Sequence, residues 1–202
     1  MKKRSLPTGE EPPKGYESVV NLGIEDHRLF IDSVILSQIA HIEVAEIETL
    51  RTKALSTITM LSGLADDSLT FEREVNIIPD KSISEKLLFR AYLNKELVGY
   101  ALVIIGWPNK SEWVIQHLLV NPDYRLQGIG SSIVAAIEEF AISSEVDATR
   151  IFAIPVEERG TSFWNNLGYS DVTHRTQIQI AGIDRELIIY RKRLEDASLP
   201  PA

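Results

Sequence analysis

Apolar residues return at three- and four-residue steps from about Glu25 to Leu64: Leu36, Ile39/Ala40, Val44, Ile47, Leu50, Ala54, Ile58 and Leu61. That period predicts one helix, or two with a bend. Glu43, Glu46, Arg51 and Lys53 fall off the stripe. A stripe of this kind is more often core than a dimer contact or a substrate wall. Gly63 and Asp66-Asp67 end it. The period then changes. Phe71 to Ile78 alternates and stops at Pro79-Asp80, which predicts a strand. Leu87–Leu93 and Leu97–Ile105 are clearer strands, joined through Asn94-Lys95-Glu96 as a hairpin. A turn at Gly106–Lys110 leads into the apolar strand Trp113–Val120. A helix from Ser131 to about Ser143, a strand at Ala148–Ile154 and a short helix at Gly160–Leu167 follow, the last closed by Gly168 as a left-handed cap. Tyr169–Ile180 and Glu186–Arg193 form a terminal hairpin around Ala181-Gly182-Ile183-Asp184, and Tyr16–Leu22 reads as a short strand.

This order predicts a single α/β (α+β) domain, with a mixed, mostly antiparallel sheet and helices on both faces. Residues 1–15 are rich in Lys, Glu, Gly and Pro and read as a flexible tail. Residues 16–80 form a helical N-terminal region, 81–195 the core and 196–202 a C-terminal tail.

Between the strand ending at Val120 and the helix after it runs Asn121-Pro122-Asp123-Tyr124-Arg125-Leu126-Gln127-Gly128-Ile129-Gly130. A glycine-rich turn at a helix N-terminus presents unpaired N–H groups and the positive end of the helix dipole, which together hold anions. Glycine lets the main chain approach a phosphate closely, and Arg125 adds a permanent cation with a planar donor fork. The implied ligand is a phosphorylated group, such as a pyrophosphate. The loop is not a nucleotide P-loop, because no Gly-Lys-Ser/Thr follows, and its spacing is not the three-glycine dinucleotide fingerprint.

The motif Val120-x-Pro122-x-x-Arg125-x-x-Gly128-x-Gly130 resembles the pyrophosphate loop of the GNAT superfamily of acyl-CoA-dependent N-acyltransferases. Further along, Phe163-Trp164-Asn165-Asn166-Leu167-Gly168-Tyr169 resembles that family's second motif, Phe-Tyr-x-x-Leu-Gly-Phe. The resemblance covers roughly Leu87 to Leu194. It implies a GNAT-like domain in which acyl-CoA lies between two splayed central strands, here Trp113–Val120 and Ala148–Ile154. Carried over, main-chain groups of Leu118, Leu119 and Val120 bond the pantetheine arm and the acyl carbonyl. Arg125, Leu126, Gln127, Gly128, Ile129, Gly130 and Ser131 hold the pyrophosphate, and Trp164 joins the cofactor side at the family's tyrosine position. Without the resemblance, the same residues read as a plain strand–helix connection. Ser131 and Ser132 also suit helix capping.

Composition narrows the chemistry. The chain has 202 residues, 44% of them hydrophobic, which suits one domain plus an extension. It has no cysteine, so disulfides, thiolate metal sites and cysteine nucleophiles are excluded. The four histidines show no metal-ligand spacing, so no metal is expected. Met1-Lys2-Lys3-Arg4 resembles a signal-peptide start, but Pro7 and Glu10-Glu11 stand where an apolar core belongs. No apolar run reaches membrane-spanning length. A cytoplasmic location is expected, without membrane association. The net charge of −8 argues against nucleic acid. Acetyl-CoA, an amine acceptor and a second copy of the chain as a homodimer are the partners in view.

For catalysis, amine attack on a thioester needs a base for the amine and a proton for the leaving thiolate. The resemblance implies a base near Gln116 or His117. A histidine titrates near neutrality, although strict alternation puts these two residues on opposite faces, and a bulge would change which one faces the cleft. A packed or surface histidine is the plainer role. The family's acid, a tyrosine, is replaced by Trp164, whose indole N–H is a very poor proton source. Ser162, Tyr169 or water are the substitutes, although Tyr169 aligns with a packing phenylalanine. The family's asparagine after the fifth strand is missing from Pro155-Val156-Glu157-Glu158. Those glutamates suit a cationic acceptor or, more plainly, a solvated loop. Two functions remain: an N-acetyltransferase moving acetyl from acetyl-CoA to a primary amine, or a non-catalytic acyl-CoA-binding module.

Overall fold

The computed structural model describes residues 18–20, 33–38, 44–55, 58, 70–76, 85–153, 158–180 and 183–194. Strands β1 (Ser18–Val20), β2 (Ser33–Gln38), β3 (Glu85–Leu93), β4 (Glu96–Ile105), β5 (Glu112–Val120), β6 (Ala148–Ala153), β7 (Asp171–Ile180) and β8 (Ile183–Arg193) form one sheet in the order β1-β2-β3-β4-β5-β6-β8-β7. Every neighbouring pair is antiparallel except β5 and β6. The expected mixed, mostly antiparallel sheet is present. A parallel pair needs a crossover, and helix α3 (Ile129–Ser143) supplies it.

Helices cover both faces. Ile129, Ile133 and Ile137 of α3 pack on Phe89, Ala101, Val103, Trp113 and Ile115, one side of the alternating strands. On the other face Ile47, Leu50 and Ala54, with Phe71, cover Leu88, Tyr100, Leu102 and Leu119. These residues belong to helices α1 (Val44–Lys53) and α2 (Phe71–Asn76) or lie just beyond α1. The helical stripe is therefore core at Ile47, Leu50, Ala54 and Ile58, all buried.

Four local expectations are corrected. Ser33–Gln38 is a strand, not helix: it carries β-branched Val34 and Ile35 and pairs with β3 from Ser33–Tyr92 to Gln38–Leu87. Phe71–Asn76 is a helix, not a strand. Phe71 sits edge-on to Tyr100 at 5.7 Å, and its N–H donates to Glu48 Oε1 at 2.8 Å, so tertiary contacts decide a segment too short for its period to do so. Arg51, off the stripe, is nonetheless buried. Helix α3 starts at Ile129 with Gly128 as N-cap, two residues before Ser131. The β3–β4 connection is the pair Asn94-Lys95, both at positive φ, as a tight hairpin turn requires. Gly168 has φ +89, the expected left-handed cap of helix α4 (Glu158–Asn166). The tails, Gly63, Asp66-Asp67 and residues 154–157 lie outside the described residues.

Candidate active site

β5 carries a bulge. Leu102 of β4 pairs with His117 while its neighbour Val103 pairs with Ile115, so Gln116 is the extra residue. The consequence is a change of parity. Trp113 and Ile115 face α3 before the bulge, and Leu118 and Val120 do so after it. Gln116 and His117 thus fall on one face, that of α1 and α2, rather than on opposite faces. His117 stacks on Tyr100, with centroids 5.6 Å apart and planes 11° from parallel. Arg51 Nη1 donates to the Tyr100 hydroxyl at 2.9 Å, and Arg51 Nε pairs with Glu48 Oε2 at 3.3 Å. Gln116 Oε1 is buried with no hydrogen-bond donor among the described residues.

Pairing between β5 and β6 runs from Glu112–Ala148 to Ile115–Ile151 and stops there. Beyond it β6 stays with β8 through Ala153–Ile188. Among the described residues, β5 continues from Gln116 to Val120 paired with β4 alone, so its other edge keeps main-chain groups without a strand partner. The divergence starts at the bulge. It is anchored on its closed side by Glu112, a buried carboxylate held by Arg150 of β6 and by Arg191 of β8, the latter at 2.9 Å. Burial opposes ionisation of Glu112, but hydrogen bonds and charge from Arg150, then Arg191, overcome it and hold the carboxyl below its ordinary range.

At the end of β5 the fully buried Asn121 donates its N–H to Val98 O at 2.8 Å and accepts the Asp123 N–H on Oδ1 at 3.1 Å. This turns the chain into the 3₁₀ helix Pro122–Tyr124. The Tyr124 hydroxyl donates to Glu96 Oε2 at 2.9 Å, and Glu96 pairs with Lys53 of α1 at 3.0 Å. Arg125 and Leu126 are exposed, and Leu126 has φ +60. Gln127 donates to Asp123 O at 3.3 Å. Gly128, at φ +86, opens α3 without a side-chain cap. The first bond closing the helix is Ser132 N–H to Gly128 O at 3.0 Å, which leaves the N–H groups of Ile129, Gly130 and Ser131 without intrahelical acceptors. Ser132 Oγ turns back to Gly128 O at 3.2 Å.

The second sequence motif meets the first. A Cβ on Gly130 would stand 3.2 Å from Cζ of Phe163 and 3.6 Å from Val120 Cγ2. Trp164 lies edge-on to Phe163 at 4.9 Å and to Tyr169 at 5.2 Å. Tyr169 is fully buried, its hydroxyl 2.7 Å from Thr149 Oγ1 and donating to Glu138 Oε1 at 2.9 Å. Lys192 completes the cluster on Glu138 Oε2 at 2.6 Å. Burial, and then the Glu138 charge, push the phenol well above its ordinary pKa. Tyr169 is a packing residue under α3, as its alignment implied.

Sequence reasoning missed Tyr100, Arg51 and the Glu112–Arg150–Arg191 group, because each acts through partners distant in the chain. The polar residues Glu112 and Arg150 inside otherwise apolar strands were the available signal. Among the described residues, no cluster of His, Asp and Glu is placed to hold a metal, and no helix is long and apolar enough to cross a membrane.

A model of the acetyltransferase (GNAT) family matches residues 58–169 of the 202, more than half of the chain. The chain belongs to the GNAT family. The thialysine N-epsilon-acetyltransferase of Bos taurus is 29% identical over 80 residues, 38% of this chain and 46% of the bovine one. The chain spans about half the length of the curated relatives it matches. The fold is shared with an acetyltransferase from Thermus thermophilus (TM-score 0.59, 16% identity, covering 83% of this chain and 99% of that one). It is shared also with a Salmonella typhimurium acetyltransferase that modifies the N-terminal serine of ribosomal protein L7/L12 (TM-score 0.62, 12% identity, 80% and 95% covered). GNAT acetyltransferases use acetyl-CoA, and the divergence of β5 and β6 beside a glycine-rich helix start fits that cofactor.

Proposed function

We propose that this GNAT enzyme moves the acetyl group of acetyl-CoA to a primary aliphatic amine by direct attack. The observation that carries this reading is the end of β5–β6 pairing at Ile115–Ile151, with the turn at residues 125–131 at the far end of β5. An extended pantetheine arm fits the unpaired edge at Leu118, Leu119 and Val120. The pyrophosphate then meets the N–H groups of Gly128, Ile129, Gly130 and Ser131 and the charge of Arg125. Gln127 sits in the same turn, and Leu126 is exposed at the rim.

The chemistry follows from that placement. A β5 main-chain N–H directed at the thioester oxygen stabilises the oxyanion formed as the amine adds. His117, stacked on Tyr100 at the bulge, takes the amine proton, and Gln116 Oε1 orients the amine by accepting one of its N–H bonds. The C–S bond then breaks and CoA leaves as a thiolate. A thiol of ordinary pKa, about 8.5, is an adequate leaving group near neutrality, so no dedicated acid is needed. Trp164 packs against the site without donating a proton. The bovine relative's name specifies the ε-amine of thialysine, which supports an aliphatic amine acceptor. Dependence on acetyl-CoA and the lack of cysteine suit a cytoplasmic enzyme.

Calorimetric titration of acetyl-CoA tests the site. Saturable binding is expected in the native chain and its loss in Gly128→Val, where a β-branched residue is forced to positive φ. Equal affinity in both would move the pyrophosphate elsewhere.

A further inference from the structure

The face of the sheet that carries Gln116 and His117 continues across β6 and β8. Ile188 and Tyr190 of β8 are buried on the α3 side. Alternation therefore puts Arg185, Leu187, Ile189 and Arg191 on the opposite face, with Arg150 of β6. Two arginines on this face, Arg150 and Arg191, are neutralised by Glu112. Arg185 differs. Its cross-strand neighbour is the apolar Ile178, and Leu187 lies next along its own face. Arg185 makes no ion pair among the described residues, and its Nε is buried without an acceptor. A buried arginine Nε–H without an acceptor is completed by an anion, and the arginine fork fits a carboxylate best.

A second orphan has the opposite polarity. Gln116 Oε1 is buried without a donor, on the same face and across the divergence. Gln116 follows Ile115, which pairs with Ile151, so it is level with Phe152 and its partner Ile189, four residues along β8 from Arg185. Two strand spacings across and four residues along put the two backbones roughly 16 Å apart before the divergence widens it. One molecule with an amine at one end and a carboxylate at the other completes both atoms.

We propose that the acceptor is an ω-amino carboxylate, its amine presented at Gln116 and His117 and its carboxylate held by Arg185. The proposal rests on the acetyltransferase reading and adds the substrate class. It is tested by titrating the CoA-bound protein with straight-chain ω-amino acids of increasing length, each against the alkylamine lacking the carboxylate. The native chain should bind the ω-amino acid about tenfold tighter or better at its preferred length, as a charge-assisted fork contact allows. Arg185→Gln should bring it down to the alkylamine's affinity and leave the alkylamine unchanged, and Arg185→Lys should keep part of the preference. Equal affinities at every length, or a preference that survives in Arg185→Gln, would overturn the proposal. Thiol release from acetyl-CoA with the same amines separates the two ideas: a carboxylate preference without turnover removes acetyl transfer but keeps the subsite.

Discussion

Gly130, in the first turn of α3, lies close against the ring of Phe163 in α4: a Cβ there would come within 3.2 Å of the ring, a crowded contact. The pyrophosphate turn and the second sequence motif are therefore one packed unit. The glycine serves the helix–helix approach as well as any phosphate. Gly130→Ala should cost about 1 kcal/mol of stability, as overpacking outweighs the better helix propensity of alanine. Phe163→Leu should relieve the crowding, so the two changes combined are expected to be less destabilising than the sum of the singles. Denaturant midpoints of the native chain, both single variants and the double variant check this; strict additivity would separate the two motifs.

Glu112 closes the sheet on the side where β5 and β6 still pair. Its carboxyl titrates below the ordinary range when folded, so its stabilisation is complete above the unfolded glutamate pKa, about 4.3, and is lost as pH falls through the folded value. Glu112→Gln should cost about 2–3 kcal/mol at neutral pH, less than a fully buried pair because both arginines are partly exposed. The gap between variant and native protein should narrow in acid. Unfolding curves at neutral pH and at about pH 3 measure it, and a gap independent of pH would assign the loss to packing alone.

Tyr169 is the residue most easily mistaken for the missing acid. Its hydroxyl is engaged by Thr149 and Glu138 beneath α3. Tyr169→Phe should lower stability by about 1–3 kcal/mol, since Thr149 and Glu138 lose a partner, and leave the pH dependence of turnover unaltered. A lost alkaline limb in a variant of native stability would restore an acid role.

His117, stacked on Tyr100 at the bulge, is the base in this account. His117→Ala should slow acetyl transfer about a hundredfold at neutral pH, within the usual range for general-base removal, while acetyl-CoA affinity holds. A native pH–rate profile in the variant would leave the proton to water.

What was legible in the sequence was what short-range chemistry dictates. Gly168 as a left-handed cap, and β3 and β4 as strands joined by a hairpin at Asn94-Lys95, each follow from neighbours in the chain. The parity change at Gln116 does not. A bulge is visible only once β5 is laid beside β4, and it moved both candidate bases to one face. Ser33–Gln38 and Phe71–Asn76 were misjudged for the same reason, since pairing with β3 and docking on Tyr100 outweigh weak local periods. Arg51 fell off the apolar stripe, and nothing in its own helix reveals the Tyr100 hydroxyl it meets across the packing layer.

The central claim is acetyl transfer to an amine at the divergence of β5 and β6. Thiol release from acetyl-CoA, followed across a panel of primary aliphatic amines, tests it most directly. The account predicts release that depends on the amine, saturates with acetyl-CoA and disappears in Gly128→Val. Saturable acetyl-CoA binding with no release above background for any amine would contradict it.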